Sequence, residues 1–251
     1  MTQETEHTPV GTGADVLRAL HHGREPGDPL VLPGPWDAAS ARVFADAGFP
    51  ALATPSAGVS ASLGYDDGEG TPPDEMFAAI RRIARAVDVP VTADVEAGYG
   101  LPAAELVERL LAAGAAGCNL EDSDPATGAL VEPERQADRL AAVRAAAGSA
   151  LVVNARVDTY LRGGRTPAEA VDRARLYAAA GADCVYPILA PVTHLGIIAD
   201  AVGVPLNALC KPGTLSPREL GVLGATRITF GGTLHTEALA SVRSLAAGLA
   251  L

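Results

Sequence analysis

The feature that most constrains the fold is an eightfold alternation of short apolar runs with longer amphipathic stretches, which begins at residue 30. The apolar runs lie at 30–34, 51–55, 89–94, 116–121, 150–156, 182–187, 204–209 and 226–231. Parallel strands need a connection long enough for a helix, so repeated strand–helix units indicate a parallel sheet. Eight such units in 251 residues match the size of one closed (β/α)8 TIM barrel. A doubly wound open sheet is the alternative.

The stretches between the apolar runs carry signals that begin helices. TPPDEM (71–76) and RTPAEA (165–170) place Pro and then acids in a first turn, where a missing amide hydrogen costs nothing and negative charge meets the helix dipole. The predicted helices are 38–47, 74–87, 102–113, 133–147, 167–180, 191–202, 216–222 and 233–249. A further helix at 14–23 is expected to cap the barrel bottom. We predict a disordered leader over 1–13 and a single barrel domain over 14–251.

Charge and composition exclude several classes of partner. The chain has 19 Lys and Arg against 30 Asp and Glu, and its net charge of −11 repels the phosphates of nucleic acids. No 18-residue apolar run and no signal-peptide pattern is found, so we expect a cytoplasmic protein that does not enter membranes. Three widely spaced cysteines, Cys118, Cys184 and Cys210, favour reduced, buried thiols over disulfides or a zinc site.

Acidic side chains fall where the third and fourth predicted strands end. Asp94 ends the third strand, Glu96 follows it, and Glu121 ends the fourth. In a (β/α)8 barrel these strand ends form the active face, and a divalent cation relieves the repulsion among carboxylates crowded there. Mg²⁺ is the expected ion, with Mn²⁺ as the alternative. The competing interpretation is that one of these acids caps a helix or pairs with an arginine.

Arg156 ends the fifth predicted strand and reaches the same face of the barrel. Its planar guanidinium can bind a substrate carboxylate through two parallel hydrogen bonds. The alternative is an ion pair that only balances Glu121 or Asp158.

Four segments together resemble the isocitrate lyase/phosphoenolpyruvate mutase superfamily. They are PWDAASARVFADAGFPALATPSAGVSASLGYDDGE (35–69), TADVEAGYG (92–100), AAGAAGCNLED (112–122) and NARVDTYLRGG (154–164), in this order. The combination is far more specific than any single piece. The resemblance implies a Mg²⁺-dependent barrel that makes or breaks C–C or P–C bonds beside a 2-oxo acid or its enolate.

The resemblance also implies roles for individual residues. Asp94 corresponds to the direct metal ligand, and Glu96, Glu121 and Asp67 to ligands that act mainly through water. Glu121 and Arg156 are also the catalytic candidates, with Arg156 as the substrate-binding arginine. The loop that begins at Ser56, Ala57 and Gly58 corresponds to the backbone that surrounds the substrate's oxygen atoms.

Departures from the family pattern leave the branch of the superfamily open. After LED the chain reads SDPATGALVEP (123–133), without the Cys, His or Lys of the family's lids, although its Asp, Pro and Gly suit a mobile loop. Ile188 stands where many lyases of the family have Glu. We expect a C–C lyase acting on a small 2-hydroxy or 2-oxo dicarboxylate. The alternatives are an oxaloacetate-type hydrolase or decarboxylase, a P–C bond enzyme, and a barrel that binds a carboxylate without turnover.

Weaker candidates lie after the later strands. Asn207 is a candidate substrate ligand, or it satisfies local backbone. Lys211 and His235 suit a phosphate or carboxylate, although an exposed lysine and a helix-capping histidine are the simpler interpretations.

The final predicted helix is too apolar for a solvated surface, since 233–251 has only two clearly charged residues, Glu237 and Arg243. We therefore predict a homo-dimer or homo-tetramer, and the resemblance implies that this C-terminal helix is exchanged between subunits. The alternative is that it packs on its own barrel.

Overall fold

The computed structural model describes residues 12–249, and the predicted TIM barrel is confirmed. Its strands are β1 Leu30–Val31, β2 Leu52–Thr54, β3 Val91–Asp94, β4 Gly117–Leu120, β5 Val152–Val157, β6 Cys184–Pro187, β7 Asn207–Leu209 and β8 Arg227–Thr229. All pairings are parallel, in the orders β2-β3-β4-β5-β6 and β1-β8-β7. A parallel bridge from Val185 to Leu206 joins β6 to the β7 side, and the Ala53 amide donates to Pro33 O at 3.1 Å beside β1. These links close the barrel.

The helices follow the predicted positions with one addition. They are α1 Gly13–Leu20, α2 Ala38–Asp46, α3 Ser56–Leu63, α4 Pro73–Ala84, α5 Ala103–Ala112, α6 Pro133–Ala147, α7 Pro167–Ala179, α8 Val192–Val202, α9 Pro217–Val222 and α10 Thr233–Leu249. The segment after β2 was expected to be a loop, but it forms α3 from its first residue, Ser56. Small side chains without an amphipathic pattern hid this helix, which ends at Gly64 in the left-handed conformation (φ 89°).

Helix α1 caps the bottom of the barrel, as predicted. Thr12 is its N-cap and accepts a hydrogen bond from the Asp15 amide, so the helix starts inside the predicted leader, whose residues 1–11 lie outside the described part of the chain. Arg18 of α1 donates to Asp183 at 3.0 Å and to the carbonyl of Leu151 at 3.0 Å, beside the first residues of β5 and β6. The helix is therefore attached to the N-terminal ends of the strands.

The core is a layer of Leu, Ile, Val and Ala between the strands and the surrounding helices. Cys118, Cys184 and Cys210 are free and buried, as expected, and burial raises the pKa of Cys118 and Cys184 to about 12. None of the described helices is long and apolar enough to cross a membrane.

Candidate active site

A cavity of about 330 Å³ opens at the C-terminal ends of the strands. Five of the predicted site residues line it, namely Ser56, Ala57, Asp67, Asp94 and Arg156. A larger groove of about 430 Å³ lies between α4 and α5 on the outside of the barrel, and none of the predicted site residues lines it. Since (β/α)8 enzymes place their chemistry at the strand ends, the smaller cavity is the candidate active site.

Asp94 is held at the wall of this cavity by its neighbours. Its own amide donates to Thr54 Oγ1 at 3.2 Å, and its carboxylate accepts from Ser56 Oγ at 3.2 Å and from the Glu96 amide at 3.3 Å. Burial raises the pKa of Asp94, and the nearby Arg156 opposes that rise. A carboxylate fixed in this way is a preorganised ligand for a hard cation.

Glu96 lies two residues past the last residue of β3, buried in a strained turn that does not line the cavity. Glu96 (φ 51°) and Tyr99 (φ 55°) both adopt the left-handed backbone conformation that L side chains rarely take. Both carboxylate oxygens of Glu96 are occupied, because Oε1 accepts from Tyr99 OH at 2.8 Å and Oε2 from the Glu69 amide at 2.5 Å. Burial raises the pKa of Glu96 to about 7. Gly98 has φ 94°, a backbone conformation that L side chains rarely adopt, so this turn needs glycine there.

Arg156 makes both of the ion pairs that the sequence left open. Its Nη2 lies 2.5 Å from Glu121 Oε2, and its Nε and Nη2 donate to the two oxygens of Asp158 at 2.6 and 3.0 Å. No described residue accepts from Nη1, and the side chain still lines the cavity. Burial raises the pKa of Glu121 to about 8. The arginine is thus fixed along one edge and has donor capacity left for a ligand.

The site holds more negative than positive charge. The carboxyl groups of Asp94, Glu121 and Asp158 surround Arg156, Asp67 lines the same cavity, and Glu96 lies near Asp67 and Asp94. Among the described residues no three His, Cys, Asp or Glu side chains converge as a ready-made metal cluster. Glu96 and Glu121 already have protein partners, so the role that remains open to them is contact with a cation through water. Asp94, with Asp67 on the same cavity wall, fits Mg²⁺, which keeps several waters and takes few direct carboxylates.

The segment after β4 forms a compact hairpin. Ser123 and Leu130 form an antiparallel bridge, and the Asp124 amide donates to Ala129 O at 2.8 Å. Ser123 Oγ donates to Asp158 at 2.5 Å and accepts from Arg162 Nε at 2.9 Å. The hairpin is therefore joined to the loop after β5, a contact that only the folded structure creates.

Two predicted substrate-binding residues do not line the cavity. Asn207 is fully buried beneath it, where its Nδ2 donates to Thr229 Oγ1 at 2.9 Å and to Ala208 O at 3.0 Å. Asn207 thus makes the local backbone hydrogen bond that was the alternative to a role as substrate ligand. Gly58 packs instead against Trp36 and His235, and the His235 ring lies 5.1 Å from that of Trp36. His235 thus holds α10 against α3 and does not line the cavity.

Other cavity residues were missed by the sequence reasoning. Asn119 lies on the floor, and Leu161, Tyr186, Leu209 and Phe230 form a mostly apolar wall together with Ile188. Lys211, by contrast, was one of the weaker sequence candidates, and it does line the cavity; it is the single lysine of the chain and makes no ion pair within residues 12–249. Apolar residues at strand ends carry no signal that separates them from core residues, so the wall could not have been found from the sequence.

Comparisons with known proteins identify the family of the chain. The family described as phosphoenolpyruvate phosphomutase matches residues 17–250. The 2-methylisocitrate lyase of Escherichia coli (strain K12) is 34% identical over 196 residues, which cover 72% of this chain and 65% of the relative.

Solved structures of similar proteins share the whole barrel. A 2,3-dimethylmalate lyase is 31% identical with a TM-score of 0.84, covering 96% of this chain and 88% of that one. An oxaloacetate acetylhydrolase in complex with the product oxalate is 26% identical with a TM-score of 0.84, covering 93% and 85% of the two chains. The chain belongs to the phosphoenolpyruvate mutase family, within the isocitrate lyase/phosphoenolpyruvate mutase superfamily of lyases and mutases.

Proposed function

We propose that this enzyme is a Mg²⁺-dependent lyase that cleaves a C–C bond in a small 2-hydroxy or 2-oxo dicarboxylate. The observation that carries the proposal is the cavity at the strand ends, which combines the fixed carboxylate of Asp94 with the free guanidinium edge of Arg156. Superfamily members generally use a divalent metal ion such as Mg²⁺. Mn²⁺ is the alternative ion.

Each residue then has a definite task. Asp94 binds the cation directly, and Asp67 binds it through water from the same cavity wall. When bound, the cation supplies the charge that stabilises an enolate oxygen beside the cleaved bond. Arg156 donates from its free edge to the substrate carboxylate, while Glu121 and Asp158 keep the guanidinium oriented. Glu96 supports the turn that carries Asp94, through Tyr99 and the Glu69 backbone.

The far side of the cavity supports a substrate with a second acidic group and a short alkyl substituent. Lys211 has no carboxylate partner among the described residues and offers its ammonium group to a distal carboxylate. Ile188, Leu209 and Phe230 provide apolar surface for alkyl carbons. A lysine variant, Lys211→Met, is expected to lose affinity for diacids while monoacids such as pyruvate bind as before.

A panel of 2-hydroxy and 2-oxo diacids, incubated with Mg²⁺ and followed by mass spectrometry, tests the reaction. Pyruvate or glyoxylate as a product supports C–C lyase activity. Oxalate with acetate would instead favour the oxaloacetate hydrolase alternative, for which the similar fold of oxaloacetate acetylhydrolase is the supporting observation. Binding without any product would favour a carboxylate-binding barrel and would overturn the lyase assignment.

We also propose that the protein is a homo-oligomer assembled through α10. Of the 17 residues of this helix only His235 is buried, whereas Leu239, Val242, Leu245 and Leu249 are exposed. A monomer would leave this apolar stripe in water, so a second copy is the simplest cover. Light scattering should give a dimer or tetramer, and a mass near 25.4 kDa at micromolar concentration would contradict this proposal.

A further inference from the structure

Asn119 forms the floor of the cavity and receives two hydrogen bonds on the same atom. Its Oδ1 accepts from Asn154 Nδ2 at 2.7 Å and from Arg227 Nη2 at 3.3 Å. Residue 119 pairs in register with Asp94 of β3, so the amide lies beside the proposed metal ligand. Neither Asn119 nor Arg227 stood out in the sequence, because both lie within short apolar strands.

Arg227 decides which way the Asn119 amide points. A guanidinium has only donors, so the amide atom that faces it has to be the oxygen. Arg227 is fully buried, and no described carboxylate forms an ion pair with it. The buried guanidinium of Arg227 therefore fixes the position of Asn119 Oδ1. If the amide flipped, its own N–H donors would face the donors of Arg227 and Asn154.

The other end of the amide is directed at the cavity. Asn119 lines the cavity, no described residue accepts from its Nδ2, and this nitrogen keeps some exposure to solvent. It is accordingly an accessible N–H donor between Asp94 and Arg156. An amide nitrogen that is committed as a donor cannot ligate a metal ion.

We propose that Asn119 is a substrate-positioning residue that donates a hydrogen bond from Nδ2 to an oxygen of the bound carboxylate, with Arg227 holding it in that orientation. The inference rests on the proposed function, since it assumes an anionic ligand beside Asp94. It adds a neutral donor to the ligand set that the sequence suggested. The role of Arg227 is to position Asn119, and it acts only through that side chain.

The variant Asn119→Asp separates this role from a structural one. The aspartate keeps an oxygen for Asn154 and gives Arg227 a carboxylate partner, so the melting temperature should stay near or above that of the wild type. It removes the donor and adds a negative charge, so oxalate affinity in the presence of Mg²⁺ should fall by about tenfold or more. Affinity for Mg²⁺ alone should be unchanged or tighter, because a carboxylate now stands beside Asp94.

Asn119→Leu is the matched comparison of similar size. It removes the acceptor as well as the donor, so both the melting temperature and oxalate affinity should fall. Calorimetric titration with Mg²⁺ and with oxalate, combined with thermal unfolding, measures all three quantities without any turnover.

The outcomes distinguish the two proposals. Equal oxalate affinity in wild type and Asn119→Asp would overturn the inference alone. A melting temperature of Asn119→Asp as low as that of Asn119→Leu would overturn the assigned orientation. Wild-type protein that binds no oxalate with Mg²⁺ would count against the proposed function and the inference together, whereas absent turnover with Asn119-dependent binding would count only against the proposed reaction.

Discussion

The two ends of the barrel balance charge in opposite ways. At the bottom, Asp183 accepts from Arg18, Arg144 and the Val153 amide, so a single carboxylate meets two arginines and a backbone donor. At the top, several carboxylates surround Arg156, and Asp94 faces open space. Buried charge is stable when opposite charge and hydrogen bonds match it. The bottom is therefore built for stability, and the top retains a deficit of positive charge that a ligand can fill.

The largest expected effect is at the top. Asp94→Ala should abolish Mg²⁺ binding and lower metal-dependent turnover by about a thousandfold or more, which corresponds to roughly 4 kcal/mol. Stability should change little or increase, because burial already penalises this carboxylate and raises its pKa. Calorimetric titration measures the affinity for Mg²⁺, and thermal unfolding measures the stability. Unchanged Mg²⁺ affinity would remove Asp94 from the metal site.

The reverse pattern is expected at the bottom. Asp183→Ala leaves Arg18 and Arg144 without their shared carboxylate, and the loss of one partner of such a network costs about 3 kcal/mol. Chemical denaturation should show this loss, while Mg²⁺ affinity of the folded protein stays close to that of the wild type. A variant that kept its stability but lost Mg²⁺ affinity would break the proposed division between the two ends.

A smaller loss of activity is expected from a substitution at Arg156, the arginine within the site. Arg156→Lys keeps the positive charge but cannot pair with both oxygens of Asp158 and still present a free planar edge to the substrate. Turnover at low substrate concentration should fall by about 10- to 100-fold, or roughly 2 kcal/mol, with a smaller loss of unfolding free energy. Steady-state kinetics measure the loss of turnover, and thermal unfolding measures the loss of stability. Equal kinetics in the two proteins would exclude the proposed contact.

Sequence patterns predicted the barrel more completely than the site. Strand and helix periodicity is local, so every barrel strand and the α1 cap were placed to within a few residues. Asp94 and Arg156 were found because charged residues at strand ends are conspicuous. Asn119 was not, since its importance depends on Arg227, which lies 108 positions away in the chain. The occupied oxygens of Glu96 could not be anticipated either, because they depend on the fold of the loop around Glu69.

The last effect appears only as the pH is lowered, and it concerns His21, which contacts Arg227 from the bottom of the barrel. This buried side chain of the α1 C-cap donates from Nδ1 to Leu17 O at 2.7 Å, since a carbonyl can only accept. Its Nε2 then carries no proton and faces Nη1 of Arg227 at 3.4 Å. Burial, and next the charge of Arg227, lower the pKa of His21 to about 4, although Asp183 opposes the shift.

The pH dependence of stability follows from that arrangement. The unfolded chain binds a proton at His21 near pH 6.5, whereas the folded protein resists protonation until about pH 4. Stability is therefore full above pH 6.5 and falls as the pH is lowered through this window, by about 2 kcal/mol between pH 7 and pH 5. Urea denaturation across that range should show a shallower pH slope for His21→Asn than for wild type. His22→Asn, at the exposed neighbouring position, is the control and should keep the wild-type slope. Identical slopes in all three proteins would mean that protonation at His21 does not oppose Arg227.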